Sequence, residues 1–87
     1  MKIGIIGAGN MGQALLRGLV RGKGVRPSQI GVTDVDRRRV SDAAGEVGAV
    51  LFGSNAEAAA RSDLLVLAVK PQTLPDVLSE IRSHVSS

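Results

Sequence analysis

Short apolar runs alternating with segments of helical period predict an α/β fold for this 87-residue chain, a doubly wound parallel sheet with helices on its faces. Two observations carry the prediction. The order β-α-β-α-β-α-β-α leaves every pair of successive strands joined by a helix, the connection that parallel strands and right-handed crossovers require. And the first run passes through a glycine-rich turn directly into a helix.

Taken in order, Lys2 to Ile6 is the first strand, and a helix follows from about Asn10 to Arg21, with Met11, Leu15, Leu16, Leu19 and Val20 at helical spacing. Gly22 and Gly24 end it, and Pro27 keeps Val25 to Gln29 in a loop. Ile30 to Thr33 is the second strand. Asp36 is a good N-cap for a helix from Arg37 to about Glu46, with Val40 and Ala43 or Ala44 facing inward. Ala49 to Phe52 is a third, weaker strand. Ser54-Asn55-Ala56-Glu57 reads as a capping box that opens an alanine-rich helix to about Arg61. The uninterrupted apolar run Leu64 to Val69 has the character of a central parallel strand covered on both faces. Lys70 and Pro71 stop it, and Thr73 with Asp76 repeats the capping-box pattern before a last helix from about Leu74 to His84.

Aromatic residues are 1% of the chain, Phe52 alone, while hydrophobic residues are 44%, so the core has to be built from Ile, Leu, Val and Ala. The absence of Cys excludes a disulfide framework and a thiolate metal site, and suits a reducing, cytoplasmic setting. His84, the one histidine, has no partner at metal-ligand spacing. The apolar start is broken by glycines too soon for a signal peptide or a membrane span. A formal charge of +3 raises nucleic acid as a partner, but a chain without aromatic stacking platforms is poorly equipped for single strands, and a phosphorylated cofactor accounts for the same charge.

Gly7, Gly9 and Gly12 fall in the spacing G-x-G-x-x-G between a strand and a helix, the Rossmann-type arrangement for a dinucleotide. Gly7 permits the sharp turn, Gly9 leaves room for a pyrophosphate to approach the helix N-terminus, and Gly12 lets helix and strand pack closely. The expected strand order is 3-2-1-4, with the cofactor across the C-terminal strand ends. Asp34 follows the glycine motif at close to the ~20-residue separation at which an acidic side chain reads the ribose 2′-hydroxyl. A carboxylate there favours NAD. Arg37, Arg38 and Arg39 follow at a helix start, where the macrodipole disfavours cations. Two readings of that run stand, a solvated arginine face or a counter-charge for the 2′-phosphate of NADP, and together with Asp34 they lean to use of both NADH and NADPH.

Ile3-Gly4-Ile5-Ile6-Gly7-Ala8-Gly9-Asn10-Met11-Gly12, with Ser54-Asn55-Ala56-Glu57-Ala58 and Ala68-Val69-Lys70-Pro71-Gln72, resembles the N-terminal domain of pyrroline-5-carboxylate reductases over nearly the whole chain. The resemblance implies an enzyme of proline synthesis that transfers hydride from NAD(P)H to the C=N carbon of 1-pyrroline-5-carboxylate. It implies a cofactor site made of Ile6, Gly7, Ala8, Gly9, Asn10 and Met11 at the pyrophosphate, with Asp34 at the adenosine ribose, Asn55, and Ala68, Val69, Lys70 and Pro71 on the path to the nicotinamide; Gly12 joins that site from the glycine motif, and Arg37 from the arginine run. Many members of that family carry Arg and then Ser or Thr after the Asp34 position, where this chain has Val35 and Asp36. No catalytic residue is assigned. Residues 1–87 are expected to be one NAD(P)-binding domain, the N-terminal part of a longer enzyme whose helical C-terminal domain forms the homo-oligomer and supplies most of the imino-acid pocket. Two rivals remain: the cofactor domain of another reductase, of the hydroxyacid or deazaflavin-linked type, and a nucleotide-sensing module that catalyses nothing.

Overall fold

In a computed structural model that describes residues 1–22 and 24–84, the alternation is realised as four strands and four helices. Strand β1 (Ile3–Ile6) is buried along its whole length, and helix α1 (Asn10–Arg21) leaves the glycine turn without a side-chain cap or an acidic residue in its first turn. A 3-10 turn, Pro27–Gln29, leads into β2 (Ile30–Thr33). Helix α2 (Arg37–Val47) begins at Asp36, whose carboxylate accepts from the Arg39 N–H at 3.1 Å, and ends at Gly48, which takes a left-handed φ of 78°.

Of the remaining elements, all but α3 are shorter than the sequence suggests. β3 is only Val50–Leu51, α3 is Asn55–Arg61, β4 is Leu64–Leu67 and α4 is Leu74–Ile81. At α3 the Ser54 hydroxyl accepts from the Glu57 N–H at 3.1 Å, as a capping box requires, but the Glu57 carboxylate reaches one residue further back, to the Gly53 N–H at 2.6 Å. The second capping box does not form. Thr73 already has helical dihedrals (φ −88°, ψ −21°) and makes no side-chain cap. A cap needs extended backbone to swing its oxygen over the first turn, and here the entry is made instead by turn bonds, Thr73 N–H to Lys70 O at 2.9 Å and Leu74 N–H to Pro71 O at 3.3 Å.

All pairings are parallel and the sheet order is β3-β2-β1-β4, as the sequence predicts. Ile3 stands beside Ile30 and Leu64, and Ile6 beside Thr33 and Leu67. Alternate residues therefore serve two cores. On one face Ile5, Ile30 and Val32 meet Leu16 of α1 and Val40, Ala43 and Ala44 of α2. On the other, Ile6 meets Phe52, Ala58 and Ala59 near α3, and Val77 and Ile81 of α4. The single aromatic ring fits there because Gly31 presents no Cβ, which would collide with the Phe52 ring.

One expectation about burial is corrected. β4 is the edge of this sheet and not a central strand: Leu64 is 49% exposed and Leu65 to Leu67 are half-buried. An unbroken apolar run reports that both faces of a strand have neighbours, but carries no information about its hydrogen-bonding edge. Met11 is 66% exposed, while α1 turns its Gly12 and Leu16 inward.

Candidate functional site

The glycine turn joins β1 to α1 at the C-terminal end of the sheet. Gly7 holds φ +110°, and a Cβ on it would run into the Ala68 carbonyl at the end of β4. Gly12 lies so close to the Gly7 carbonyl oxygen that no side chain fits between helix and strand. Gly9 differs from both: a Cβ added there would meet nothing within 4 Å. Its missing side chain serves no internal contact. It leaves open space beside the first turn of α1, where among the described residues the N–H groups of Asn10 and Met11 have no acceptor.

The turn is pinned from both sides. The Gly7 N–H donates to the Thr33 carbonyl at 2.8 Å, the Ala8 N–H donates to Asp34 Oδ2 at 2.6 Å, and the Ala8 carbonyl accepts from Gln13 Nε2 at 2.7 Å. Asp34 also accepts from the Asp36 N–H at 2.9 Å, and its Oδ2 lies 3.4 Å from the Arg39 guanidinium. Burial by itself would push the Asp34 carboxyl up, but the two backbone N–H groups and Arg39 outweigh it and hold it below its ordinary value of 3.8.

A cleft of about 440 Å³ opens over these strand ends. Ile6, Gly7, Gly9 and Asn10 line it from the turn, Asp34 and Val35 from the end of β2, Asn55 from the start of α3, and Ala68, Val69 and Lys70 from the end of β4. Lying where the strand order reverses, between β1 and β4, it occupies the position at which open α/β sheets take ligands. Asn55 is held by Glu80 of α4, whose Oε2 accepts from Asn55 Nδ2 at 2.8 Å.

The structure thus brings together most of the residues singled out in the sequence, but not all of them. Ala8 and Gly12 are buried behind the turn, and Met11 and Pro71 do not line the cleft. Nor does Arg37. Its guanidinium donates to Thr33 Oγ1 at 3.0 Å, to the Asp34 carbonyl at 3.0 Å and to the Phe52 carbonyl at 2.8 Å, tying α2 to the ends of β2 and β3. Arg39 faces the cleft instead, and Val35, Thr73 and Val77 complete its lining without having been singled out. Thr73 was hidden by its resemblance to a cap, and a run of three identical residues offered no way to tell Arg39 from its two neighbours. Among the described residues no group of His, Cys, Asp and Glu is arranged to hold a metal, and no helix is long and apolar enough to cross a membrane.

A family model described as NADP oxidoreductase, coenzyme F420-dependent, matches residues 2–87. The chain belongs to that family. Among curated proteins it is 43% identical over 86 residues to the pyrroline-5-carboxylate reductase of Methanosarcina acetivorans, an overlap of 99% of this chain and 32% of that one. Among solved structures it resembles a pyrroline-5-carboxylate reductase from Coxiella burnetii (TM-score 0.86, 30% identity, 94% of this chain and 30% of that one). It also resembles the pyrroline carboxylate reductase of Plasmodium falciparum, determined with NADP bound (TM-score 0.82, 26% identity, 97% and 29%). The likeness read from three sequence segments is borne out over the whole chain, which spans about a third of the length of the curated relatives it matches.

Proposed function

We propose that this chain is the cofactor-binding domain of a pyrroline-5-carboxylate reductase, taking NADPH or NADH, and that in the complete enzyme it serves the reduction of 1-pyrroline-5-carboxylate to proline. The observation that supports the reading best is convergence. Ile6, Gly7, Gly9 and Asn10, Asn55, and Ala68 to Lys70 are far apart in sequence, they belong to the three segments that carry the family likeness, and they line one cleft.

The residues present suit a dinucleotide. Gly9 leaves the space a pyrophosphate needs, and the free N–H groups and positive end of α1 face that space. Asp34 offers a carboxylate to a ribose hydroxyl, and Asn55 stands further along the cleft with its amide held by Glu80. Ala68, Val69 and Lys70 form the wall towards the nicotinamide end, which they orient mainly through backbone shape. When bound, the cofactor supplies the hydride; the protein's task is to hold the donor face within reach of the imine carbon. The imino-acid pocket, and the helical domain through which the enzyme forms a homo-oligomer, belong in this reading to the remainder of a longer protein, and the setting is the cytoplasm.

The test has two parts. Calorimetric titration of this chain with NADPH and NADH is expected to show binding of both. A longer protein containing this chain is expected to oxidise NAD(P)H in the presence of 1-pyrroline-5-carboxylate. Binding without that oxidation would move the assignment to another reductase of the same family, and a native protein of this length that binds but reduces nothing would favour a nucleotide-sensing module.

A further inference from the structure

We propose that Arg39 sets the choice between NADPH and NADH in this chain, through its ion pair with Asp34; the proposal rests on the dinucleotide reading above. The three consecutive arginines are not equivalent. Arg37 has its guanidinium committed to Thr33, Asp34 and Phe52 oxygens, and Arg38 does not line the cleft. Arg39 does, beside the carboxylate that stands at the ribose position.

The two members of the pair are held very differently. The Asp34 side chain is 10% exposed and is anchored by the Ala8 and Asp36 N–H groups at 2.6 and 2.9 Å. The Arg39 side chain is 47% exposed and touches Asp34 at only 3.4 Å, a contact that solvent and salt weaken. Arg39 can therefore turn away without leaving a buried carboxylate unpaired, because the two backbone donors stay in place.

Each cofactor then uses one member of the pair. The 2′-hydroxyl of NADH is a donor, and it takes the Asp34 oxygen that Arg39 releases. The 2′-phosphate of NADPH is an anion that Asp34 alone would repel, and a guanidinium meets it with two parallel N–H donors while screening the carboxylate. This arrangement gives an acidic residue at the ribose position without the strict preference for NADH that such a residue ordinarily imposes. It also explains an arginine in the first turn of α2, a place that the macrodipole makes unfavourable for a cation.

Calorimetric titrations with NADPH and NADH at two salt concentrations, on the chain and on Arg39→Gln, Arg39→Lys, Arg38→Gln and Asp34→Asn, each verified as folded by circular dichroism, test the proposal. Arg39→Gln is expected to weaken NADPH roughly tenfold or more, the scale of one charge-assisted contact, and to flatten the salt dependence of NADPH binding. NADH is expected to stay within about twofold, since it uses no guanidinium. Arg39→Lys keeps the charge without the fork and should fall between. Asp34→Asn should move the preference towards NADPH, and Arg38→Gln should move nothing selectively. An equal effect of Arg39→Gln on both cofactors, no effect on either, or the same selective loss in Arg38→Gln would overturn the proposal while leaving the dinucleotide site standing. A folded wild-type chain that binds neither cofactor would overturn the underlying reading and this proposal with it.

Discussion

At Gly9 and Gly12 the same residue type does opposite things three positions apart. Gly12→Ala forces a methyl group against the Gly7 carbonyl oxygen, which is backbone and cannot swing aside. It is expected to cost on the order of 1–3 kcal/mol in urea unfolding, as overpacking does. Gly9→Ala enters empty space at an ordinary extended backbone (φ −74°, ψ −167°), so its unfolding free energy should stay within about 1 kcal/mol of wild type. Its nucleotide affinity should nevertheless collapse, because the methyl group would occupy the place proposed for the pyrophosphate. A Gly9→Ala chain that binds normally would remove the turn from the site. Asp34 carries a second, structural duty, since it satisfies the N–H of Ala8, a residue only 1% exposed. Asp34→Ala should cost about 1–3 kcal/mol at neutral pH, the penalty for an unsatisfied buried donor. The Asp34 carboxyl is held below its ordinary 3.8, so its stabilisation is fully present above that value and is lost as the pH falls through the depressed one. The gap between wild type and Asp34→Ala should therefore narrow in acid, and urea titrations at neutral and acid pH would measure it; a gap independent of pH would contradict the assignment.

At the scale of elements, what the sequence made legible was whatever a local pattern dictates. Periodicity placed the helices, Asp36 and Ser54 marked two of their starts, and the alternation of strands and helices with the glycine turn was enough for the sheet order. What escaped depends on where a side chain goes after the fold has formed. Arg37, Arg38 and Arg39 are chemically identical and adjacent, and only the 100° step along α2 sends one to the strand ends and another to the cleft. Thr73 matches the spacing of a cap, but its own backbone is helical and its side chain is left in the cleft. β4 has the composition of a central strand because composition records face contacts, while its exposed edge is a property of the sheet. The division between the arginines can be measured. Arg37→Met keeps the length of the side chain but removes three bonds that tie the first turn of α2 to β2 and β3. It should lose about 1–3 kcal/mol of stability to urea, as groups lose when their hydrogen bonds to a charged partner are removed, and leave the ratio of NADPH to NADH affinity unchanged. A shift of that ratio without loss of stability would return Arg37 to the cofactor.

At the scale of the molecule, the cleft draws on elements that the two cores hold separately. Gly9 and Asn10 open α1, Arg39 belongs to α2, Asn55 opens α3, and Ala68 to Lys70 follow β4. A ligand lying across them binds only when both helix layers are seated on the sheet, so it stabilises the folded chain by mass action. That matters in a chain this short, since domains of about 60 residues bury only about 60% of the surface that their unfolded chains expose and are correspondingly marginal. Leu64 at 49% and Leu78 at 46% exposure reduce its reserve further. At a cofactor concentration of a hundred times Kd the gain is about 2.7 kcal/mol. For a domain of this size that corresponds to a rise in Tm of roughly 10–20 °C. Differential scanning calorimetry with and without NADPH is expected to show it, together with a negligible rate of proline formation when 1-pyrroline-5-carboxylate is added. The combination separates the two halves of the reaction. On the proposed reading, binding requires only the strand ends and the turn, whereas hydride transfer requires an imine held at near-attack distance from the nicotinamide, and effective molarity lost by leaving that partner free in solution lowers the rate by several orders of magnitude. Rapid proline formation by this chain alone would mean that the cleft between β1, β4 and α4 already positions the imine, and Lys70 and Thr73, the polar side chains on that wall, would be the first residues to substitute.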